Sequence, residues 1–299
     1  MTDTEPALPW RRAVVYRLQA WAAWGFFFLV RLLPLHAASA LGGRVGRAIG
    51  PLAAVTRQAR RNLERAFPEK TAADIDTIIS GMWENLGRTL FEFPQLDRFR
   101  FNESGAEVEI RGLENIDLIR DDGEPGLIVS AHMANWEMSA VGAGLFGLRL
   151  HVIYRAPNNP YTAGLFRRRH AHQGELLTKG AKGARRAMKL LAQREHIAFL
   201  VDQKMNDGIP VPFFGRDAMT APALAQLALR FRCPLLPVRV ERLQGCRFLV
   251  TVFPPMELPD SGDKAGDVLD VMTRVNETLE GWIRERPEQW LWLHNRWPD

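Results

Sequence analysis

The sequence predicts an α/β fold, a mixed sheet flanked by helices and preceded by an N-terminal hydrophobic helical membrane anchor. Three observations carry this. Short apolar runs of strand length recur at 108–110, 127–129, 151–154, 197–201, 235–240 and 248–253, and helical stretches separate most of them, the pattern of a sheet with helices on its faces. Residues 14–35 read VVYRLQAWAAWGFFFLVRLLPL, an apolar stretch with an uncharged centre at 18–30. The 299 residues are 46% hydrophobic and 24% charged, enough apolar material for a large core and a composition that excludes a disordered or fibrous chain.

In chain order, the uncharged centre is short for a bilayer span, which asks for about 20 apolar residues. Arg17 and Arg31 extend it by snorkelling, and Trp10, Trp21 and Trp24 suit an interfacial position. Arg44 and Arg47 crowd any cleavage site, so an uncleaved anchor, in-plane or spanning, is expected over residues 1–50, with one catalytic-sized domain over 51–299. The competing reading is a buried helix of a soluble core. Gly42, Gly46 and Gly50 at four-residue spacing allow close helix approach, and Arg57, Arg60, Arg61 and Arg65 make a basic helix face suited to anionic headgroups. Residues 71–93 carry Ile75, Ile78, Ile79, Met82, Trp83, Leu86 and Leu90 at helical spacing, with Pro94 as the stop. Further helices are expected at 113–120, 135–146, 160–172, 184–194, 222–231 and 267–286.

Charge is unevenly spread. The first seventy residues hold eleven Lys and Arg against four acids, and residues 155–189 hold nine against Glu175 alone. Such blocks fit a phosphate-rich lipid or an acidic carrier, or a solvated helix face. Nucleic acid is the weakest option, because no recognition motif accompanies the charge. Cys233 and Cys246 form no CxxC pair, and His151, His170, His172 and His196 lack zinc-site spacing, so neither a metal nor an organic cofactor is expected. There is no G-x-S-x-G nucleophile elbow and no Walker A loop. Gly142, Gly144 and Gly147 match G-x-G-x-x-G but follow a helix, where a dinucleotide site needs a strand.

The most demanding constellation is Ser130-Ala131-His132-Met133-Ala134-Asn135-Trp136-Glu137, where a buried strand gives way to a helix. A turn after His132 that returns the Glu137 carboxylate to the imidazole gives a general base for an alcohol; a capping histidine beside a surface glutamate is the plain alternative.

His132-x4-Glu137, in the form HMANWE, resembles the H-x4-D/E motif of the glycerolipid acyltransferase superfamily, and its NWE variant is similar to the lipid A late acyltransferases of Gram-negative bacteria. Four further stretches carry the likeness along the chain: Arg61-Asn62-Leu63 with Ala66-Phe67-Pro68; Tyr154-Arg155-Ala156-Pro157-Asn158-Asn159-Pro160; Asp202-Gln203 with Val211-Pro212-Phe213-Phe214-Gly215-Arg216 and Thr220; and the ending Pro287-Glu288-Gln289-Trp290 with Trp292, His294, Asn295, Arg296 and Trp297. Trp290 and Asn295 depart from a commoner tyrosine and arginine. The resemblance implies a glycerolipid-acyltransferase-like fold. It also implies direct transfer of a fatty acyl chain from acyl carrier protein to a hydroxyl of a Kdo-bearing lipid A precursor, at the bacterial inner membrane, with the active site facing the cytoplasm. His132 is then the base and Glu137 its partner, while Asn135, Arg155, Asn158, Arg169, Gly215 and Arg216 bind substrate. Thr220 is expected to cap a helix and Asp202 to hold a loop. The alternatives are an acyltransferase for another glycolipid or phospholipid, with acyl-CoA as a further donor option, and a non-catalytic lipid or carrier-protein binder.

Overall fold

The computed structural model describes residues 9–165 and 174–297. Helix α1 (Trp10–Arg31) is long and apolar enough to cross a membrane, and little of it is buried. It ends where Pro34 forbids its continuation and restarts the chain as α2 (Leu35–Ile49). A 3-10 turn, Gly50–Leu52, leads into α3 (Thr56–Ala66) and then α4 (Ala72–Glu92), whose start is fixed by a reciprocal capping box between Thr71 and Asp74. Pro94 does not stop that helix outright; the chain tightens into a 3-10 turn, Phe93–Arg98. The glycine spacing does what it predicted. A Cβ at Gly46 would lie 2.1 Å from the Trp83 carbonyl oxygen, and one at Gly42 2.4 Å from that of Gly87, so α2 and α4 meet backbone to backbone.

The sheet follows from β1 (Val108–Arg111), β2 (Gly126–Ser130), β3 (Leu150–Tyr154), β4 (Leu176–Thr178), β5 (His196–Leu200), β8 (Leu235–Gln244) and β9 (Arg247–Val252), in the order β1-β9-β8-β2-β5-β3-β4. Only the β8–β9 pair is antiparallel. Every residue of β2 is buried: Leu127 and Val129 join one core cluster and Ile128 the other, which is why the strand reads as a continuous apolar run. Helices α5 (Leu113–Arg120), α6 (Glu137–Leu145), α7 (Ala181–Ala192), α8 (Ala223–Phe231) and α9 (Lys264–Glu285) cover its faces. All six expected strands are present. Strand β4 and the hairpin β6 (Ile209–Phe213)–β7 (Arg216–Thr220) are additions, the latter obscured by Pro210 and Pro212, which point outward on the hairpin. Of the helix expected at 160–172, Pro160–Thr162 forms a 3-10 turn, 163–165 are helical, and 166–173 fall outside the described residues.

Candidate active site

Strands β2 and β5 are parallel neighbours with Ser130 opposite Leu200. Two residues beyond each partner stand His132 and Asp202, so the sheet register alone sets them side by side at its carboxyl edge, where open α/β sheets bind ligands. His132 Nδ1 lies 2.7 Å from Asp202 Oδ1, and the His132 backbone N–H donates to Oδ2 at 2.8 Å. Trp290 Nε1 donates to the same Oδ2 at 2.7 Å. Asp202 is buried, and burial alone pushes its carboxyl up; the His132 charge and these three donors outweigh it and hold the group well below the usual carboxylate range. When the ring is neutral, the ionised Asp202 keeps its single proton on Nδ1, which leaves Nε2 with a free lone pair.

At Nε2 stands Gln203, its amide nitrogen 3.3 Å from His132 Nε2 and 3.1 Å from His294 Nε2. Lys179 Nζ donates to the Gln203 oxygen at 3.2 Å. Burial pushes the His294 imidazole down, and the nearby His132, Lys179 and Arg155 add to that against the opposing pull of Asp202. Trp136 closes the other side with its ring 5.2 Å from that of His132.

The carboxylate that meets the imidazole at Nδ1 is Asp202. With Nδ1 on Asp202 and Nε2 on Gln203, both in-plane positions of the ring have partners. Glu137 is buried at the first residue of α6. Asp202, expected to hold a loop, does accept the His132 backbone N–H and the Trp290 indole N–H, and it meets the imidazole as well.

Buried polar groups fix the turn between His132 and α6. Ala134 takes a left-handed conformation, φ 48°, and its carbonyl accepts from Asn85 Nδ2 and Thr89 Oγ1. Asn135, expected to bind substrate, is fully buried: its Nδ2 donates to Glu92 at 2.9 Å and its oxygen accepts from the Glu137 N–H, so it builds the turn and delays the helix to Glu137. Glu92, itself fully buried, is paired with Arg242, whose guanidinium also reaches Asn85 and Thr89, and Ser39 donates to the same carboxylate. The C-terminal segment lies against this turn: Ala134 N–H donates to the Gln289 carbonyl, Leu291 N–H to the His132 carbonyl, and Asn62 Nδ2 to the carbonyls of Trp292 and His294. The tryptophan-rich ending thus packs the core through Trp292 and Trp297 and serves the site through Trp290.

Arg155 is exposed and near enough for its charge to lower the His294 pKa; Asn158, three residues on in sequence, is exposed as well. Arg169 lies outside the described residues, with Arg167, Arg168, His170 and His172. Gly215 sits with Phe214 at positive φ in the β6–β7 turn, and Phe214 packs on Phe67 and Trp292; neither Gly215 nor Arg216 joins the side chains around His132. Thr220 does not cap α8, which begins after Pro222. Its hydroxyl receives buried Arg296, whose pKa desolvation lowers to about 10. A cleft of about 760 Å³ opens between α1 and α6, walled by Trp24, Phe27, Phe28, Phe99, Val141 and Leu145, with Arg31 and Asp97 paired at its rim. Among the described residues no group of three His, Cys, Asp or Glu side chains is placed to hold a metal.

A histidine hydrogen-bonded to a buried carboxylate at a strand end, with an apolar cleft at the next helix, suits transfer of an apolar group to a hydroxyl. The profile described as "Bacterial lipid A biosynthesis acyltransferase" matches residues 7–299. The chain is 26% identical over 290 residues to the lipid A biosynthesis lauroyltransferase of Escherichia coli, covering 92% of this chain and 91% of that one. It is 24% identical over 285 residues to a lipid A biosynthesis acyltransferase of Haemophilus influenzae, covering 92% and 87%. The myristoyltransferase of Escherichia coli is 25% identical over 286 residues, with 91% and 85% covered. The chain belongs to the bacterial lipid A biosynthesis acyltransferase family.

Proposed function

We propose that this acyltransferase moves a fatty acyl chain from acyl carrier protein directly to a hydroxyl of a Kdo-bearing lipid A precursor, on the cytoplasmic face of the bacterial inner membrane. The observation that carries the mechanism is the His132–Asp202 pair. The substrate hydroxyl takes the place of the long Gln203 contact at His132 Nε2 and gives its proton to that nitrogen as its oxygen attacks the thioester carbonyl. The carbon–sulfur bond breaks, and the departing thiolate takes the proton back from the imidazolium. Asp202 keeps the productive tautomer, and Glu137, the second carboxylate of the turn, stabilises the imidazolium electrostatically. No acyl-enzyme forms, so donor and acceptor are bound together.

Arg155, with Lys179 and Arg169, serves the acceptor's phosphates and carboxylates or the acidic carrier, and Asn158 lies next to Arg155 to add a neutral contact. The cleft beside α6 suits one hydrocarbon chain. The test is incubation of wild type and His132→Ala with a panel of acyl carrier protein thioesters and a tetra-acylated, Kdo-bearing precursor, reading acceptor mass. One acyl addition by the wild type, lost in the variant, is expected. Acylation of lysophospholipid alone, or none of any acceptor, overturns the reading.

A further inference from the structure

The helix α2 and the 3-10 turn after it carry an apolar edge that nothing in the fold covers. Leu41, Val45 and Ile49 repeat at four-residue intervals along one side of α2, and Leu52 and Val55 prolong the row. Leu52, 83% exposed, is the most exposed large apolar side chain among the described residues, and Ile49 is 62% exposed. The opposite side of α2 is committed to α4 through Gly42, Gly43 and Gly46, so this row cannot turn inward. The segment is basic: residues 36–63 hold five arginines and no acid, and although Arg47 pairs with Glu84 and Arg60 with Asp76 of α4, Arg44 and Arg57 are exposed beside the apolar row.

Helix α1, which α2 follows in the chain, indicates its own surroundings. That helix presents Val14, Val15, Leu18, Trp21, Phe28 and Leu29 outward. It does not stand away from the domain. Asn159 Nδ2 donates to the Tyr16 carbonyl near one end, and Arg31 pairs with Asp97 at the other. Fifteen residues separate these contacts, about 22 Å of helix at 1.5 Å per residue. Where α1 is bathed in lipid, the domain edge beside it therefore lies at the membrane.

We propose that the α2–Leu52 edge is a second membrane-binding surface, seated at the interface of an anionic bilayer with its leucine, isoleucine and valine side chains among the upper acyl chains and its arginines at the headgroups. An apolar row flanked by arginine is the composition of an interfacial segment, and burial of each large aliphatic side chain from water favours that seat. The consequence is a domain held flat against one leaflet by two feet, α1 and α2, rather than one tethered by a single helix.

The full chain tests this without altering any catalytic residue. Single cysteines replace Leu52, Trp21 on α1 and Leu118 on the exposed side of α5, each carrying an environment-sensitive dye; Cys233 and Cys246 are buried, with their thiols pushed up to about 11 by burial, and do not compete for label. Each labelled protein is reconstituted in phosphatidylethanolamine–phosphatidylglycerol vesicles containing lipids with nitroxide on the upper acyl chain. Trp21 reports that the protein is membrane-inserted. The expected result is loss of about half the dye fluorescence at Leu52, comparable to Trp21, with Leu118 unquenched. Quenching at Trp21 without quenching at Leu52 overturns the proposal and leaves α1 as the only foot. A Leu52 dye protected from aqueous iodide but unquenched by lipid overturns it in favour of a protein partner or a second copy. Equal quenching at Leu118 overturns it as adsorption without a defined face.

Discussion

Replacing Asp202 with asparagine keeps shape and removes charge, and the geometry sets the cost. The carboxylate accepts three hydrogen bonds, from His132 Nδ1 at 2.7 Å, His132 N–H at 2.8 Å and Trp290 Nε1 at 2.7 Å. An amide has one accepting end and one donating end. With its oxygen toward Nδ1, its NH₂ faces two N–H donors in a buried site, and each frustrated donor costs about 1–3 kcal/mol. With the oxygen toward those two donors, the NH₂ faces Nδ1, which must then accept, and the ring proton moves to Nε2. The second arrangement is favoured by about 2–6 kcal/mol, so the productive tautomer becomes rare by about 30-fold to 10⁴-fold. The corresponding exchange in the serine-protease triad falls at the upper end of this range, about 10⁴-fold. The assay is kcat for acyl addition to the acceptor, followed by mass, on protein whose circular dichroism matches wild type. Activity within threefold of wild type refutes the tautomer argument and removes Asp202 from the mechanism.

Three other outcomes are expected. Because the folded pKa of Asp202 lies below its ordinary 3.8, the pair's contribution to stability is fully present above that ordinary value and disappears as pH falls through the folded one; Asp202→Asn should flatten the acid limb of a denaturant-midpoint profile below about pH 4 while leaving its shape near neutrality. Arg242→Met leaves the Glu92 carboxylate buried without its cation, and urea unfolding in detergent should show a loss of about 3–5 kcal/mol, larger than for Arg232→Met, whose partner Asp260 is exposed. Leu145→Trp fills part of the α1–α6 cleft; competition between long and short acyl thioesters should shift toward the shorter chain with little change in kcat for the short one, and an unchanged preference removes the cleft from chain selection.

The strands were legible because a strand buried on both faces must be almost wholly apolar, as 127–129 is and as 235–240 is but for Arg239, which is buried against Glu241 and Glu285. What escaped was pairing at a distance. His132 and Glu137 are neighbours in sequence, so a local motif pointed to Glu137; Asp202 meets His132 only because β2 and β5 are adjacent and in register, which no stretch of sequence states. The available signals are that each lies just past an apolar run and that Asp202-Gln203 belongs to a stretch carrying the family likeness. Glu92 and Arg242 are 150 residues apart and look like ordinary helix and strand charges until the fold buries them together. Asn135 belongs to the motif, which marks it as a substrate contact, whereas the turn uses it as mortar, with Glu92 on one side and the Glu137 N–H on the other. The positive φ at Ala134, which lets the turn form at all, has no signature in an alanine.

The Trp290 contact also bears on how the enzyme comes into being. The strands that carry His132 and Asp202 are synthesised long before the segment that steadies them, and the Met133–Trp290 bridge joins the middle of the chain to its last tenth. A nascent chain that stops short of Trp290 can assemble most of the sheet, yet it leaves Asp202 without its indole donor and the His132 turn without the Gln289 and Leu291 backbone bonds. Competence is thus acquired late and all at once, so that an unfinished polypeptide at the membrane surface holds the parts of a transferase without working as one.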